Sequence, residues 1–202
     1  MTQGYVLTGR RAIFASYEAF IEIVSSMVDQ YSKFLRVARE EISWRNEVPS
    51  LNYILTSSGW RQEHNGFSHQ NPSFISAMLE KQGCFARVYF PPDANSTLEV
   101  LKVCLETKNE IHVIVAGKTP EESWLTPELA RKELMRGLMV WDFASDSNPD
   151  LVMVGIGDYL TKEALAAVDI LREALPQVRI RFVNLKITMF LNQKIPLKQF
   201  LN

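Results

Sequence analysis

Short apolar runs alternate with longer segments of helical periodicity along most of the chain. Five runs rich in branched and aromatic residues predict strands, at residues 51–56, 86–90, 111–116, 151–155 and 179–183. Apolar positions three and four residues apart predict helices at 16–42, 73–79, 98–107, 127–135 and 161–175. Strands that alternate with helices favour an α/β fold, with a mainly parallel sheet, helices on both faces and right-handed crossovers.

The first predicted helix has a broad apolar face and follows an N-terminal stretch with few structural signals. Ser16 is a suitable N-cap, because its hydroxyl can accept a hydrogen bond from a backbone N–H of the first turn. The apolar face comprises Ala19, Phe20, Ile23, Val24, Met27, Val28, Tyr31 and Leu35. This spacing predicts one continuous helix with a broad buried face.

A polar, turn-rich segment at residues 142–149 is interpreted as a linker between two domains, 1–146 and 147–202. The second domain has one βαβ unit, which cannot bury both faces of a sheet, so we interpret it as a truncated α/β unit. Gly155, Gly157 and Asp158 resemble a nucleotide-binding loop only superficially. They lack the full glycine fingerprint and predict a tight turn.

Composition and charge exclude several classes of partner. The formal net charge of the 202 residues is -1, which suggests neither a nucleic-acid partner nor an anionic membrane. The sequence has no apolar run long enough to span a bilayer and no N-terminal signal pattern, so a cytoplasmic protein is expected. Cys84 and Cys104 fit no metal spacing and are expected to be free thiols.

The densest group of polar side chains follows the predicted strand at 51–56. Residues 60–72 contain His64 and His69 together with an arginine, amides and a hydroxyl. Open α/β sheets bind ligands beyond the carboxyl ends of their strands, so this run and Lys118, which follows the strand at 111–116, are expected at one edge. A solvated loop and a solvated lysine are the alternatives. His112 lies within a predicted strand and is interpreted as a buried, hydrogen-bonded histidine.

The chemistry of this run favours proton transfer and hydrogen bonding. His64 and His69 are five residues apart, which excludes a zinc site of the HExxH type, and no third metal ligand is evident. Ser68 lacks the context of an activated nucleophile. Histidines transfer protons near neutral pH, while Gln62 and Asn65 can bind hydroxyl or phosphate oxygens. A polar, anionic substrate is therefore expected.

Five segments together resemble the xylulose-5-phosphate/fructose-6-phosphate phosphoketolases. They are residues 7–10, 16–20, 60–70, 89–95 and 115–118, in the family's order and approximate spacing. The resemblance runs from about Tyr5 to Val183 and is expected to end after about Asn184. Beyond that point the sequence has the character of a frameshifted or truncated end, with a basic tail that lacks acidic residues.

The resemblance implies an enzyme that uses thiamine diphosphate and inorganic phosphate to cleave a ketose phosphate into acetyl phosphate and a shorter aldose phosphate. It implies a domain similar to those that hold the cofactor's aminopyrimidine ring. It also implies specific roles: His64 and His69 would be catalytic, Gln62, Asn65, Tyr17 and Lys118 would bind substrate and phosphate, and Phe14, Tyr17 and Phe20 would line the aminopyrimidine pocket.

The resemblance also implies that parts of the family's site lie outside this chain. The glutamate that activates the cofactor would precede the position of Tyr5, and the diphosphate and its Mg²⁺ would be held by a separate domain. We therefore expect the chain to be inactive alone and to need a complementing phosphoketolase chain or a homo-oligomer. A non-catalytic remnant or interaction module is the alternative, and an unrelated phosphate-binding α/β domain is a weaker one.

Overall fold

Four parallel strands form the first sheet of the computed structural model, which describes residues 1–56, 71–81 and 85–186. They are β1 (Ala12–Ser16), β2 (Leu51–Leu55), β3 (Ala86–Tyr89) and β4 (Ile111–Val115), in the order β1-β2-β4-β3. Because all four run in the same direction, their carboxyl ends meet along one side of the sheet, which we call the carboxyl edge. The predictions of β2, β3 and β4 are confirmed, whereas β1 was not predicted.

Helices cover both faces of this sheet, as the sequence predicts. They are α1 (Thr2–Leu7), α2 (Glu18–Ile21), α3 (Ser25–Glu40), α4 (Ser73–Leu79) and α5 (Ala94–Glu106). On one face, Tyr31 and Leu35 of α3 join Tyr53 and Val113 of the sheet in one buried cluster. On the other face, side chains of α5 pack with Tyr89 and Ile114. The sheet is therefore buried between two layers of helix, as expected for parallel strands.

The single helix predicted at 16–42 is wrong in its first part. Ser16 is the last residue of β1 and pairs with Leu55, so it is no N-cap. Tyr17 precedes α2, and a 3₁₀ turn at Glu22–Val24 separates α2 from α3. The tighter turn changes the helical phase: Ile21 is buried before the turn, and the first buried residue of α3 is Val28. Three residues of the predicted buried face, Phe20, Ile23 and Met27, are instead exposed.

Helix α5 begins four residues before its predicted start because Asp93 caps it. The Oδ1 atom of Asp93 accepts a hydrogen bond from the Ser96 N–H at 2.8 Å. Its Oδ2 atom accepts from the backbone N–H groups of Trp124 and Leu125, at 3.0 and 2.8 Å. One buried carboxylate thus satisfies a helix terminus and fixes the approach to the next helix.

The second sheet has three strands and mixed direction. It follows α6 (Pro127–Arg136) and contains β5 (Leu138–Val140), β6 (Leu151–Ile156) and β7 (Ile180–Leu185), with α7 (Gly157–Ala174) between the last two. The order is β5-β7-β6, and β5 is antiparallel to β7. The predicted βαβ unit is confirmed, whereas β5 was not predicted.

The predicted linker at 142–149 contains structure of its own. Asp142–Ala144 form a 3₁₀ turn, and Ala144 is buried. Strand β5 lies before the predicted boundary at residue 146 and pairs with β7 after it. The division into domains 1–146 and 147–202 stays a prediction.

The end of β7 joins the two sheets through the backbone and a buried ion pair. The Lys186 N–H donates to Gly137 O, and its carbonyl accepts from the Phe90 N–H just beyond β3. The Lys186 ammonium lies 3.0 Å from Glu133 Oε2, and both side chains are fully buried. Glu133 Oε1 accepts from the Trp141 indole N–H at 3.0 Å, which connects the pair to the second core.

Cys104 is a free, buried thiol, as expected, and burial raises its pKa to about 12. Cys84 lies outside the described residues. None of the helices in the described parts of the chain is long and apolar enough to cross a membrane.

Candidate functional site at the carboxyl edge

The carboxyl edge brings together segments that are far apart in the sequence. Tyr17 follows β1, Thr56 follows β2, and Lys118 lies three residues beyond β4. Hydrogen bonds continue the pairing past the strand ends: the Thr56 N–H donates to Ser16 O at 2.9 Å, and the Ala116 N–H donates to Leu55 O at 3.0 Å. Since β2 lies between β1 and β4, the segments after these three strands are neighbours.

Lys118 and Tyr17 are in contact at this edge. The Lys118 Nζ atom lies 5.4 Å from the centroid of the Tyr17 ring, within the range of a cation–π interaction. Lys118 is exposed and Tyr17 is half-buried. The ring therefore fixes one side of an ammonium group that still faces solvent. An anion that approaches the edge can bind this charge.

An aromatic pair extends the same surface. The rings of Tyr17 and Phe20 have centroids 5.5 Å apart and are inclined at 44°. Phe20, the first-turn residue of α2, has 53% of its surface exposed, so the pair offers apolar ring surface at the edge. Phe14 lies on β1, where its ring contacts Tyr53 edge-to-face at 5.8 Å and packs against the core between α3 and the sheet.

Four of the predicted site residues cannot be compared with the structure. His64, His69, Gln62 and Asn65 lie outside the described residues. The run that contains them, residues 60–72, begins four residues after Thr56 in the sequence. Their roles stay predictions.

His112 is a buried, hydrogen-bonded histidine, as predicted. Its Nδ1 lies 3.1 Å from Asn52 Oδ1 and its Nε2 lies 2.8 Å from Glu110 Oε2. Burial lowers the pKa of His112, although Glu110 opposes that effect. The ring is fully buried and also contacts Tyr89 edge-to-face. These partners occupy both ring nitrogens and support a structural role.

Two side chains of α7 contact the loop that carries Lys118. Asp158 Oδ2 accepts a hydrogen bond from the Gly117 N–H at 2.6 Å. Lys162 Nζ lies 2.9 Å from Glu121 Oε2. We call residues 117–121 the Lys118 loop. The sequence reasoning assigned Asp158 only to a tight turn at residues 155–158. The structure corrects this: Gly155 and Ile156 belong to β6, and Gly157, with φ +74°, begins α7 directly. The sequence signal that was missed is Gly117, which permits a close approach to its backbone.

The described residues contain no group of three or more histidine, cysteine, aspartate or glutamate side chains that could hold a metal ion. The polar side chains at the carboxyl edge include the exposed Lys118 ammonium, the Tyr17 phenol and the Asp158 and Glu121 carboxylates, which are held by contacts with the Lys118 loop and with Lys162. This combination suits an anionic ligand with an apolar or aromatic portion.

Comparison with protein families gives two matches that together cover most of the chain. Residues 1–107 match the family described as D-xylulose 5-phosphate/D-fructose 6-phosphate phosphoketolase, and residues 118–198 match the C-terminal domain of the same family. The expectation that the resemblance ends after about Asn184 is therefore wrong, because the second match continues to residue 198.

Curated relatives carry the same description. The chain is 53% identical over 185 residues to a probable phosphoketolase of Brucella abortus, which covers 90% of this chain and 23% of that protein. It is 50% identical over 196 residues to a probable phosphoketolase of Chlorobaculum tepidum, covering 95% of this chain and 25% of that protein. The chain thus spans about a quarter of the length of the curated relatives it matches.

Several solved transketolases share this fold. A transketolase mutant from Pichia stipitis superposes with a TM-score of 0.66 at 16% identity, covering 91% of this chain and 24% of that one. The transketolase from Leishmania mexicana superposes with a TM-score of 0.65 at 17% identity, covering 93% of this chain and 25% of that one. A split-gene transketolase, solved as an inactive β4 tetramer, gives 0.60 at 18%, covering 91% and 52%. At these identities the likeness shows a transketolase-like fold.

Proposed function

The chain belongs to the D-xylulose 5-phosphate/D-fructose 6-phosphate phosphoketolase family, and from this premise we propose that its carboxyl edge forms one wall of a phosphoketolase site. The proposed reaction uses thiamine diphosphate and inorganic phosphate to cleave a ketose phosphate into acetyl phosphate and an aldose phosphate. The observation that carries the proposal is the exposed Lys118 ammonium, which lies over the Tyr17 ring at the carboxyl edge.

In this proposal, Lys118 binds the phosphate group of the substrate. A cation–π contact orients the ammonium without neutralising it, so its N–H groups remain available to phosphate oxygens. The interaction is partly screened because Lys118 is exposed. Hydrogen bonds to charged groups contribute about 1.5–3 kcal/mol, so we assign this screened one about 1.4 kcal/mol, which corresponds to roughly a tenfold change in affinity.

The aromatic pair of Tyr17 and Phe20 would contact the aminopyrimidine ring of the cofactor. The half-exposed Phe20 ring and the neighbouring Tyr17 ring provide the apolar surface that a planar ring needs. Phe14 would close the inner side of this pocket from β1. When bound, thiamine diphosphate supplies the reactive carbon and the electron sink for cleavage of a carbon–carbon bond. The side chains of this chain would orient that ring and exclude water from it.

The run after β2 would complete this wall. His64 and His69 are proposed to hold and transfer protons, and Gln62 and Asn65 to hydrogen-bond substrate oxygens. This part rests on the resemblance of the run and on its position after β2. We also propose that a separate domain binds the diphosphate and its Mg²⁺. This rests on the resemblance alone.

We further propose that another polypeptide completes the site, either a complementing phosphoketolase chain or a second copy of this chain. Two observations support this proposal. The Lys118–Tyr17 surface is open to solvent. A transketolase of the same fold is encoded by a split gene. Activity of the chain as a monomer would contradict this part of the proposal.

Isothermal titration calorimetry of the 202-residue chain with fructose 6-phosphate and with inorganic phosphate tests the role of Lys118. We expect Lys118→Met to weaken fructose 6-phosphate binding about tenfold. Lys108→Met is the matched control, because Lys108 is also exposed but precedes β4 and so lies at the opposite edge of the sheet. The Lys108→Met variant should bind fructose 6-phosphate with the same affinity as the unsubstituted chain. Equal affinities for all three proteins would refute the phosphate-binding role.

A coupled assay for acetyl phosphate separates the remaining possibilities. The monomeric chain with thiamine diphosphate, Mg²⁺, phosphate and xylulose 5-phosphate should give no product. A non-catalytic remnant or interaction module would bind neither ketose phosphate nor cofactor in the calorimetric titration. The third alternative, an unrelated phosphate-binding α/β domain, is wrong, because residues 1–107 match the phosphoketolase family.

A further inference from the structure

We propose that Asp158 is a positioning residue for the phosphate-binding Lys118, although it lies on a helix of the second sheet. The inference rests on the proposed function of Lys118 and extends it. Asp158 accepts the Gly117 N–H at 2.6 Å and so fixes the backbone immediately before Lys118. Asp158 is not proposed to contact the substrate itself. It acts on Lys118 through the backbone of the Lys118 loop.

The Asp158 carboxylate is itself held in place at both oxygens. While Oδ2 accepts from Gly117, Oδ1 accepts from the Tyr159 N–H at 2.7 Å in the first turn of α7. Hydrogen bonds from an N–H group to an ionised carboxylate are about twice as strong as neutral ones. The loop is therefore attached to the start of α7 through a fixed, charge-assisted contact.

A second contact from the same helix holds the other end of the loop. Lys162 lies one turn after Asp158 on α7, and residues four apart share a helix face. Its ammonium is 2.9 Å from Glu121 Oε2, while Thr119 Oγ1 lies 3.5 Å from Glu121 Oε1. The two contacts bracket Lys118. A loop fixed at both ends has less conformational entropy to lose when its lysine binds a ligand.

The space around Gly117 indicates that the contact is built into the sequence. A Cβ atom at this position would lie 2.5 Å from Asp158 Oδ2, closer than real Cβ contacts allow. Any side chain at position 117 would displace the carboxylate. Glycine at the end of the strand and aspartate at the start of α7 thus form a matched pair.

The sign of the effect distinguishes positioning from direct electrostatics. Removing a negative charge near an anion site should strengthen phosphate binding if charge alone mattered. If Asp158 positions Lys118, its removal should weaken binding, and the weakening should require Lys118. A structural role without any link to Lys118 would produce neither pattern.

The first measurement is the ¹H–¹⁵N spectrum of the chain, which detects the contact without any ligand. The Gly117 amide proton should resonate downfield and shift upfield in Asp158→Ala, with a smaller shift in Asp158→Asn. Asp169→Ala, an exposed carboxylate on the same helix, is the matched control and should leave this resonance unchanged. Wide dispersion of the remaining resonances would show that each variant is folded.

The second measurement is fructose 6-phosphate titration of a double-mutant cycle. We expect Asp158→Ala to weaken binding about three- to tenfold, Asp158→Asn to weaken it less, and Asp158→Ala/Lys118→Met to bind no more weakly than Lys118→Met. The inference would be overturned if Asp158→Ala and Asp158→Asn bound fructose 6-phosphate as tightly as the unsubstituted chain or more tightly. It would also be overturned if Asp158→Ala weakened binding by the same factor in the Lys118→Met background as in the unsubstituted chain. If the unsubstituted chain does not bind fructose 6-phosphate, the proposed function itself fails and the phosphate role of Asp158 fails with it.

Discussion

Replacing Lys186 with methionine should destabilise the chain by about 3–5 kcal/mol, because it leaves a buried carboxylate without its cation. Lys186 Nζ lies 3.0 Å from Glu133 Oε2, and both side chains are fully buried. The same ammonium donates to Ala130 O at 3.0 Å. The variant therefore removes the ion-pair partner of Glu133 and one further buried hydrogen bond.

The pKa directions of the pair give the expected pH dependence. Burial raises the pKa of Glu133 and lowers that of Lys186, while each partner opposes the shift of the other. In Lys186→Met, the pKa of Glu133 should rise further because the neighbouring cation is gone. A carboxyl group whose folded pKa exceeds its unfolded value takes up a proton more readily in the folded state. The loss of stability should therefore be largest near pH 7.5 and smaller near pH 5.5.

Urea unfolding at these two pH values measures the effect. With an m value of about 2 kcal/mol/M, a loss of about 4 kcal/mol lowers the midpoint by about 2 M. Glu133→Gln/Lys186→Met removes both charges but retains an acceptor for the Trp141 indole, so it should recover at least half of the loss. The control is Lys132→Met, because Lys132 is exposed and lies next to Glu133 on α6. This variant should change stability by less than about 0.5 kcal/mol. A loss below about 1 kcal/mol in the single variant, or no recovery in the double variant, would refute the reasoning.

Two further predictions concern the first core and its cap. Leu35→Ala on α3 should lower the free energy of unfolding in urea by about 3 kcal/mol, because Leu35 is fully buried in the larger cluster. Met27 is half-exposed on the same helix, so Met27→Ala should lower it by well under about 1 kcal/mol. Similar losses in the two variants would contradict the observed phase of α3. Asp93→Ala should cost about 3 kcal/mol, since three backbone N–H groups lose one buried acceptor, compared with about 1 kcal/mol for Thr126→Ala, which removes a single cap. Equal costs for these two would show that the contacts to residues 124–125 contribute nothing.

Most of the strands that sequence reasoning identified have residues buried on both faces; β6, which is mostly half-buried or exposed, was found from its apolar run alone. Every residue of β4 is buried, and four of the five residues of β2 are. Such strands appear in the sequence as continuous apolar runs. The same reasoning found α4 at its observed bounds, and the buried His112 within β4.

The missed strands lie at sheet edges. Strand β1 alternates between half-buried and exposed residues, and two of its five residues are alanines, which favour strands weakly. Strand β5 has three residues. Both are stabilised by pairing, β1 with β2 and β5 with β7. Pairing between distant segments leaves no periodic signal in the sequence of either one.

The sequence by itself determined the family, the alternation of strands and helices, and the residue types at the carboxyl edge. Lys118 and Tyr17 could be selected as candidates because each follows a strand or resembles a family segment. Only the tertiary structure decided that the Lys118 ammonium lies over the Tyr17 ring. The same is true of the hydrogen bond by which Asp158 of α7 accepts from Gly117 of the Lys118 loop. The physical reason is that the first contact depends on the strand order β1-β2-β4, and the second on the position of the second sheet, which the Lys186–Phe90 backbone hydrogen bond joins to the first. Both are set by the burial of whole faces, which no local pattern of residues specifies.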